Sequence, residues 1–261
     1  LHKGEVTLRL FLAVTPDEAQ AASKYKRTLA HVAYRIGPGS TLLRQNLLLQ
    51  TRGGLLSVSD REAPPIGDPE ALCGAVLREC GRRGYSGVVL DFEERPKPDR
   101  LAFARRLGQV LSANRRALYL PESCGEAAQN AVVLICTAMS GGNFTERLRE
   151  SAAQRGGAAR LGLDVQRLRM DFRLPARSGQ GEPLSQEALD RLMEREAPAV
   201  FFSPDLCARY FTYCRNGETH FVLFDDAGTL AQKVKVGSSL GFSAAFFMWP
   251  EVRDIAGELF R

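Results

Sequence analysis

The sequence predicts an α/β fold: a (β/α)8 barrel with a small β-rich insertion between its seventh and eighth strands. Three observations carry this. Strand and helix patterns alternate from one end of the chain to the other, eight strand-length apolar runs can be placed in order, and 261 residues suit one undivided barrel. A doubly wound open sheet is the competing arrangement. It would carry a glycine-rich phosphate loop after the first strand, whereas here that strand runs into Val14-Thr15-Pro16-Asp17.

Residues 8–14 read as the first strand, followed by a helix over about 16–27. Residues 31–36 and 42–49 form a longer β segment around Gly37-Pro38-Gly39, and 55–59 is the third strand. The stretch 69–82 is an amphipathic helix that ends at Gly84. The fourth strand is 88–93, the next helix 100–113, the fifth strand 117–120 and the sixth 131–137. Asn143 caps a further helix, with Glu146 three residues on as its capping-box partner. The seventh strand is assigned to 168–172, and Ser185-Gln186-Glu187 opens another helix. The β-rich insertion spans 199–224, where Tyr210-Phe211-Thr212-Tyr213 alternates as a strand does. A helix over 228–238, the eighth strand at 244–249 and a final helix from Glu251 complete the order. The glycine-rich Ser178-Gly179-Gln180-Gly181 is a loop on the barrel and not a domain boundary, so the whole of 1–261 is read as a single domain.

The chemistry concentrates in the fourth strand, Gly84-Tyr85-Ser86-Gly87-Val88-Val89-Leu90-Asp91-Phe92-Glu93. Alternation places Val89, Asp91 and Glu93 on one side and Val88, Leu90 and Phe92 on the other. Two acids side by side on an apolar strand repel each other and lose hydration, which points to function rather than packing. An Asp and Glu capping the next helix would be the plainer explanation. In a barrel, however, catalytic side chains gather at the C-terminal ends of the strands, where these two fall.

The pattern resembles the signature of glycoside hydrolase family 18, the chitinase-like enzymes, whose fourth strand ends in Asp-Gly-x-Asp-x-Asp-x-Glu. Gly87, Asp91 and Glu93 match it, while Ser86 and Val89 stand where the family has its first two aspartates. The spacing before the last strand resembles the spore-germination and cortex-lytic branch. The resemblance implies that Glu93 is the general acid and that Asp91 holds the substrate's 2-acetamido group, whose oxygen attacks the anomeric carbon. It also implies that Trp249, ending Phe246-Phe247-Met248-Trp249, is the sugar-stacking floor of the same pocket. Glu122 and Asp171 are further cleft candidates, Asp171 sharing a strand face with Arg173. A structural ion pair at the rim is the alternative for Asp171 and Arg173.

The match fails at the sixth strand. The family has Met-x-Tyr-Asp there, and this chain has Leu134-Ile135-Cys136-Thr137-Ala138-Met139. Losing that tyrosine donor costs on the order of a few kcal/mol of transition-state stabilisation. Tyr119, Tyr34 or Thr137 is expected to replace it. The implied function is hydrolysis of β-linked N-acetylglucosamine glycans of the chitin or peptidoglycan type. The alternative is a barrel that keeps the cleft and only binds.

Composition bears on other classes. Hydrophobic and charged fractions of 44% and 25% are those of a globular protein with a full core. The net charge of +5 comes from 29 Arg and 6 Lys scattered over the helices, without the basic stripe and interleaved aromatics of a nucleic-acid binder. Attraction to anionic cell-wall polymers fits it equally. No apolar run is long enough for a membrane span. The chain opens on Leu1 without a basic-then-apolar leader, so a cell-wall or spore location carries the expectation that a leader has been removed. Six cysteines show no CxxC pair and no spacing with the three histidines, so neither a metal nor a cofactor is expected. Cys73 and Cys80 read as core positions on one helix. Cys207 and Cys214 flank a hairpin and are the pair open to bridging.

Overall fold

The computed structural model describes residues 8–45, 52–93, 95–175 and 181–261. β1 (Arg9–Val14) leads to a short α1 (Ala19–Ser23) and then β2 (Thr28–Gly37), which folds back through a tight turn into β3 (Thr41–Arg44). β4 (Leu55–Ser59) precedes α2 (Pro69–Arg83), and β5 (Gly87–Asp91) precedes α3 (Pro98–Ala113). β6 (Ala117–Pro121) and β7 (Val132–Cys136) follow, then α4 (Phe144–Gln154) and β8 (Leu161–Val165). An excursion follows: β9 (Arg169–Arg173), β10 (Glu182–Pro183), α5 (Gln186–Glu196), β11 (Phe201–Ser203), β12 (Ala208–Arg215) and β13 (Glu218–Phe224). The chain returns through α6 (Ala227–Ser239) to β14 (Ala244–Met248), α7 (Trp249–Val252) and α8 (Ala256–Leu259).

Eight of these strands are parallel and close into a barrel in the order β1-β14-β8-β7-β6-β5-β4-β2, with β2 pairing back onto β1. The predicted (β/α)8 fold is thus present, with local departures. The helix expected over 16–27 shrinks to α1. The connection after β2 is the antiparallel β3 arm. After β6 there is one 3-10 turn, Glu122–Cys124. Residues 46–49 of the expected strand at 42–49, and 178–180 of the glycine-rich loop, lie outside the described residues.

One strand was placed wrongly by sequence pattern. The seventh barrel strand is Leu161–Val165, and the 168–172 segment belongs to the insertion as β9. The insertion therefore begins at Arg169 rather than at 199. Its five strands form an antiparallel sheet in the order β10-β9-β13-β12-β11. The β12–β13 turn is Asn216-Gly217, both with positive φ (52° and 78°), the backbone that a two-residue hairpin needs. One face of this sheet packs Phe211, Tyr213, Val222 and Phe224 against Leu189 and Leu192 of α5.

The barrel interior is filled rather than hollow. Phe11 stacks on Phe246 (centroids 4.5 Å apart, 11° between planes), and the Tyr119 ring meets both edge-on. Around them Ala13, Ala30, Leu55, Val89, Leu134 and Ala244 complete a plug. The opposite faces of the strands pack under the helices. Leu56, Val58, Val88 and Leu90 meet Leu72, Val76, Phe103 and Leu107 of α2 and α3. Helix starts are capped as their sequences direct: Asp68, Asn143, Ser185 and Asp226 each accept a backbone N–H three residues on. At Asn143 the Glu146 backbone N–H is the donor.

All six cysteines are free thiols, so Cys207, which is buried, and Cys214, which is exposed, do not pair. Among the described residues no helix is long and apolar enough to cross a membrane.

Candidate active site at the barrel mouth

β5 is delivered to the site by two glycines. Gly84 ends α2 in the left-handed conformation (φ 73°), where a side chain would be strained. Gly87 begins the strand so close to β6 that a Cβ there would sit 2.6 Å from the Ala117 carbonyl oxygen. From that start, parity sends Val89 and Asp91 into the barrel, and Val88, Leu90 and Phe92 into the core beneath α2 and α3. The strand ends at Asp91. Glu93 lies beyond it with an exposed side chain, and its backbone N–H donates to Asp60 Oδ1 at 3.1 Å. Asp60, just past β4, is buried beside Arg100 of α3, with 3.9 Å between Asp60 Oδ2 and Arg100 Nε. Arg100 also donates to the carbonyls of Ala63 and Pro64. The loop carrying Glu93 is thereby tied to two neighbouring elements.

Asp91 and Glu93 line a cavity of about 350 Å³ at the C-terminal mouth of the barrel. Its floor is apolar, built from Val89, Leu134 and Phe246. Its walls carry Glu122, Asp164, Gln166 and Met248. This combination of an apolar base with a few convergent polar groups is the usual form of a small-ligand site. Among the described residues no Lys, Arg or His side chain lines it. Burial is the main reason that the Asp91 carboxyl is pushed up to about 6, and the charges of Glu93, Asp164 and Asp60 push the same way. Asp164 is also raised, first by burial, with Glu251 adding to the effect and a hydrogen bond from Gln166 opposing it. Burial likewise raises the Cys136 thiol at the cavity edge.

The structure brings together three of the six residues singled out in the sequence: Asp91, Glu93 and Glu122. Glu122 is partly committed elsewhere, since Arg147 donates to it at 3.0 Å and Arg155 lies 3.7 Å away. Trp249 lies outside the cavity. Inward positions on β14 are Ala244, Phe246 and Met248; the strand ends there, one residue short of the expected 244–249, and Trp249 opens α7. There the indole is buried among helices, its ring 5.6 Å from that of Tyr25. Met248 holds the mouth position instead.

Asp171 and Tyr34 are also elsewhere. Asp171 is on the insertion sheet, accepting from Tyr213 Oη at 2.6 Å and facing His220 Nδ1 at 3.0 Å. Its face-mate Arg173 pairs with Glu218. Tyr34 points outward from β2, donating to Glu79 at 2.8 Å beneath α2. None of the three expected replacements for the sixth-strand tyrosine reaches the cleft. Tyr119 Oη accepts from Arg9, at the opening residue of β1 and so at the other end of the plug. Thr137 is fully buried, its hydroxyl turned to the Gln166 carbonyl.

Sequence reasoning missed Asp164, Gln166 and Asp60. Asp164 alternates with Gly162 on the inner face of β8, so a correct seventh strand would have exposed it as a mouth residue.

The architecture has clear counterparts among solved structures. The spore cortex-lytic enzyme SleL of Bacillus megaterium superposes with a TM-score of 0.64 at 15% identity, over 93% of this chain and 71% of that one. A chitinase from Chromobacterium violaceum gives 0.66 at 15% identity, over 94% and 95% of the two chains. A class V chitinase from Nicotiana tobaccum gives 0.67 at 12% identity, over 95% and 98%. At such identities the likeness is one of fold. The chain has the (β/α)8 fold of chitinases and spore cortex-lytic enzymes, as the family 18 resemblance implied. No family profile and no curated protein matches the sequence.

Proposed function

We propose that this protein is a retaining glycoside hydrolase that cleaves β-linked N-acetylglucosamine glycans with the help of the substrate's own acetamido group. The observation that carries the reading is the convergence of Asp91 and Glu93 on one apolar-floored cavity at the barrel mouth. Asp91 accepts from the acetamido N–H and orients its carbonyl oxygen at the anomeric carbon. As that oxygen forms a bond to the anomeric carbon, the glycosidic bond breaks and Glu93 gives its proton to the leaving oxygen. Water then adds to the cyclic intermediate, Glu93 takes a proton from it, and the acetamido group is restored. Phe246 supports the sugar from below in place of the expected tryptophan.

A binding-only role is the second reading. It is favoured by the position of Trp249 outside the cavity and by the lack of a tyrosine donor on β7. Incubation with N-acetylglucosamine oligomers, with peptidoglycan and with glucose oligomers separates the two. The hydrolase reading expects cleavage of one or both acetamido-bearing glycans and none of the glucose oligomers. Binding without turnover would establish the second reading, and absence of both would remove the carbohydrate assignment.

A further inference from the structure

Asp164 has a place in the cleft that the reaction above leaves unused. β8 lies next to β7, with Asp164 in register between Cys136 on one side and Phe246 on the other. It faces the cavity three strands round the barrel from Asp91. Gln166 Nε2 donates to its Oδ2 at 2.7 Å, which fixes the carboxyl and leaves Oδ1 without a hydrogen-bond partner among the described residues. The groups facing it are Asp91, Glu93 and Glu122 across the cavity, Cys136 beside it and Glu251 beyond β14. The nearest arginine in sequence, Arg167, is turned away to Asp254 and the Glu251 carbonyl. With Asp91 and Asp164 in one cavity that no cation lines among the described residues, ionising both is unfavourable, which favours keeping a proton on one of them. A carboxylic acid kept neutral is a hydrogen-bond donor.

We propose that Asp164 works as a neutral acid, donating from Oδ1 to the acetamido oxygen of the substrate while Asp91 accepts from the acetamido N–H. It supplies from the seventh strand the donor that the sixth strand lacks, and it rests on the glycan reading above. Its role differs from that of Glu93, since Asp164 holds its proton throughout.

The test is calorimetric binding of an N-acetylglucosamine trimer in a Glu93→Gln background, which stops turnover and removes one titrating group. At pH 5 Asp164→Leu in this background should bind the trimer about fivefold to tenfold more weakly than its parent, the effect of one good hydrogen bond. Asp164→Asn, whose amide donates at every pH, should keep the parent's pH 5 affinity. The titration of Asp91 is common to all three proteins, so the comparison is made between variants at one pH. The proposal is overturned if Asp164→Leu binds as tightly as its parent at pH 5, or if Asp164→Asn binds no more tightly than Asp164→Leu. Failure of the glycan reading looks different: neither the wild type nor Glu93→Gln would bind the trimer at any pH.

Discussion

Burial together with Glu93, Asp164 and Asp60 lifts the Asp91 carboxyl to about 6 from 3.8, so the folded state holds this proton more tightly than the unfolded chain does. The contribution to stability is therefore full below about pH 4 and is lost as pH rises through 6. A shift of that size corresponds to roughly 3 kcal/mol at neutral pH. Asp91→Asn, which cannot ionise, should be more stable than wild type at pH 7.5 by up to about 3 kcal/mol and indistinguishable near pH 4. Urea titrations at the two pH values check this, and parallel losses at both would contradict it. Asp60 acts through another residue, by accepting the Glu93 backbone N–H. Under the proposed mechanism, removing that acceptor in Asp60→Ala should lower kcat by about 10²-fold with little change in KM, because the proposed acid, Glu93, would be misplaced rather than lost. Asp60→Asn, which keeps an acceptor, should recover most of the rate.

At the scale of elements, α6 is locked to the insertion by a fully buried pair, Lys233 Nζ to Asp225 Oδ2 at 2.7 Å. Asp225 also accepts from Thr229 Oγ1 and the Leu168 backbone N–H. Lys233→Ala would strand the carboxylate without its cation and should cost about 3–5 kcal/mol, read from the urea midpoint. An unchanged midpoint would mean that water reaches the site. Gly87→Ala should cost about 1–3 kcal/mol, since its Cβ would press on the Ala117 carbonyl, which cannot rotate away as a side chain could. The same elements show what the sequence could reveal. β5 was legible with its functional parity because its pattern is uninterrupted. β8 was hidden because its two inward residues, Gly162 and Asp164, break the apolar run. Gly162 is small because Leu134 and Ala244 press on it, and Asp164 is polar because it faces the cleft. Trp249 was misread by a single position. The strand ends at Met248 and Trp249 opens α7, and no composition signal marks that boundary.

Over the whole molecule, the plug of Phe11, Tyr119 and Phe246 closes the barrel below the cavity, which opens at the mouth. The alternation of eight strands and the insertion before the last were readable because they rest on period and order along the chain. The content of the cleft was only half readable, because it depends on which side chains meet across strands far apart in sequence. In the proposed mechanism Glu93 is the acid of a glycosidase, and Glu93→Gln checks that role. The wild type should cleave N-acetylglucosamine oligomers, and the variant should turn over about 10²–10⁴-fold more slowly while binding the same oligomers with an affinity within about twofold at pH 5. Equal turnover by the two proteins would contradict the account.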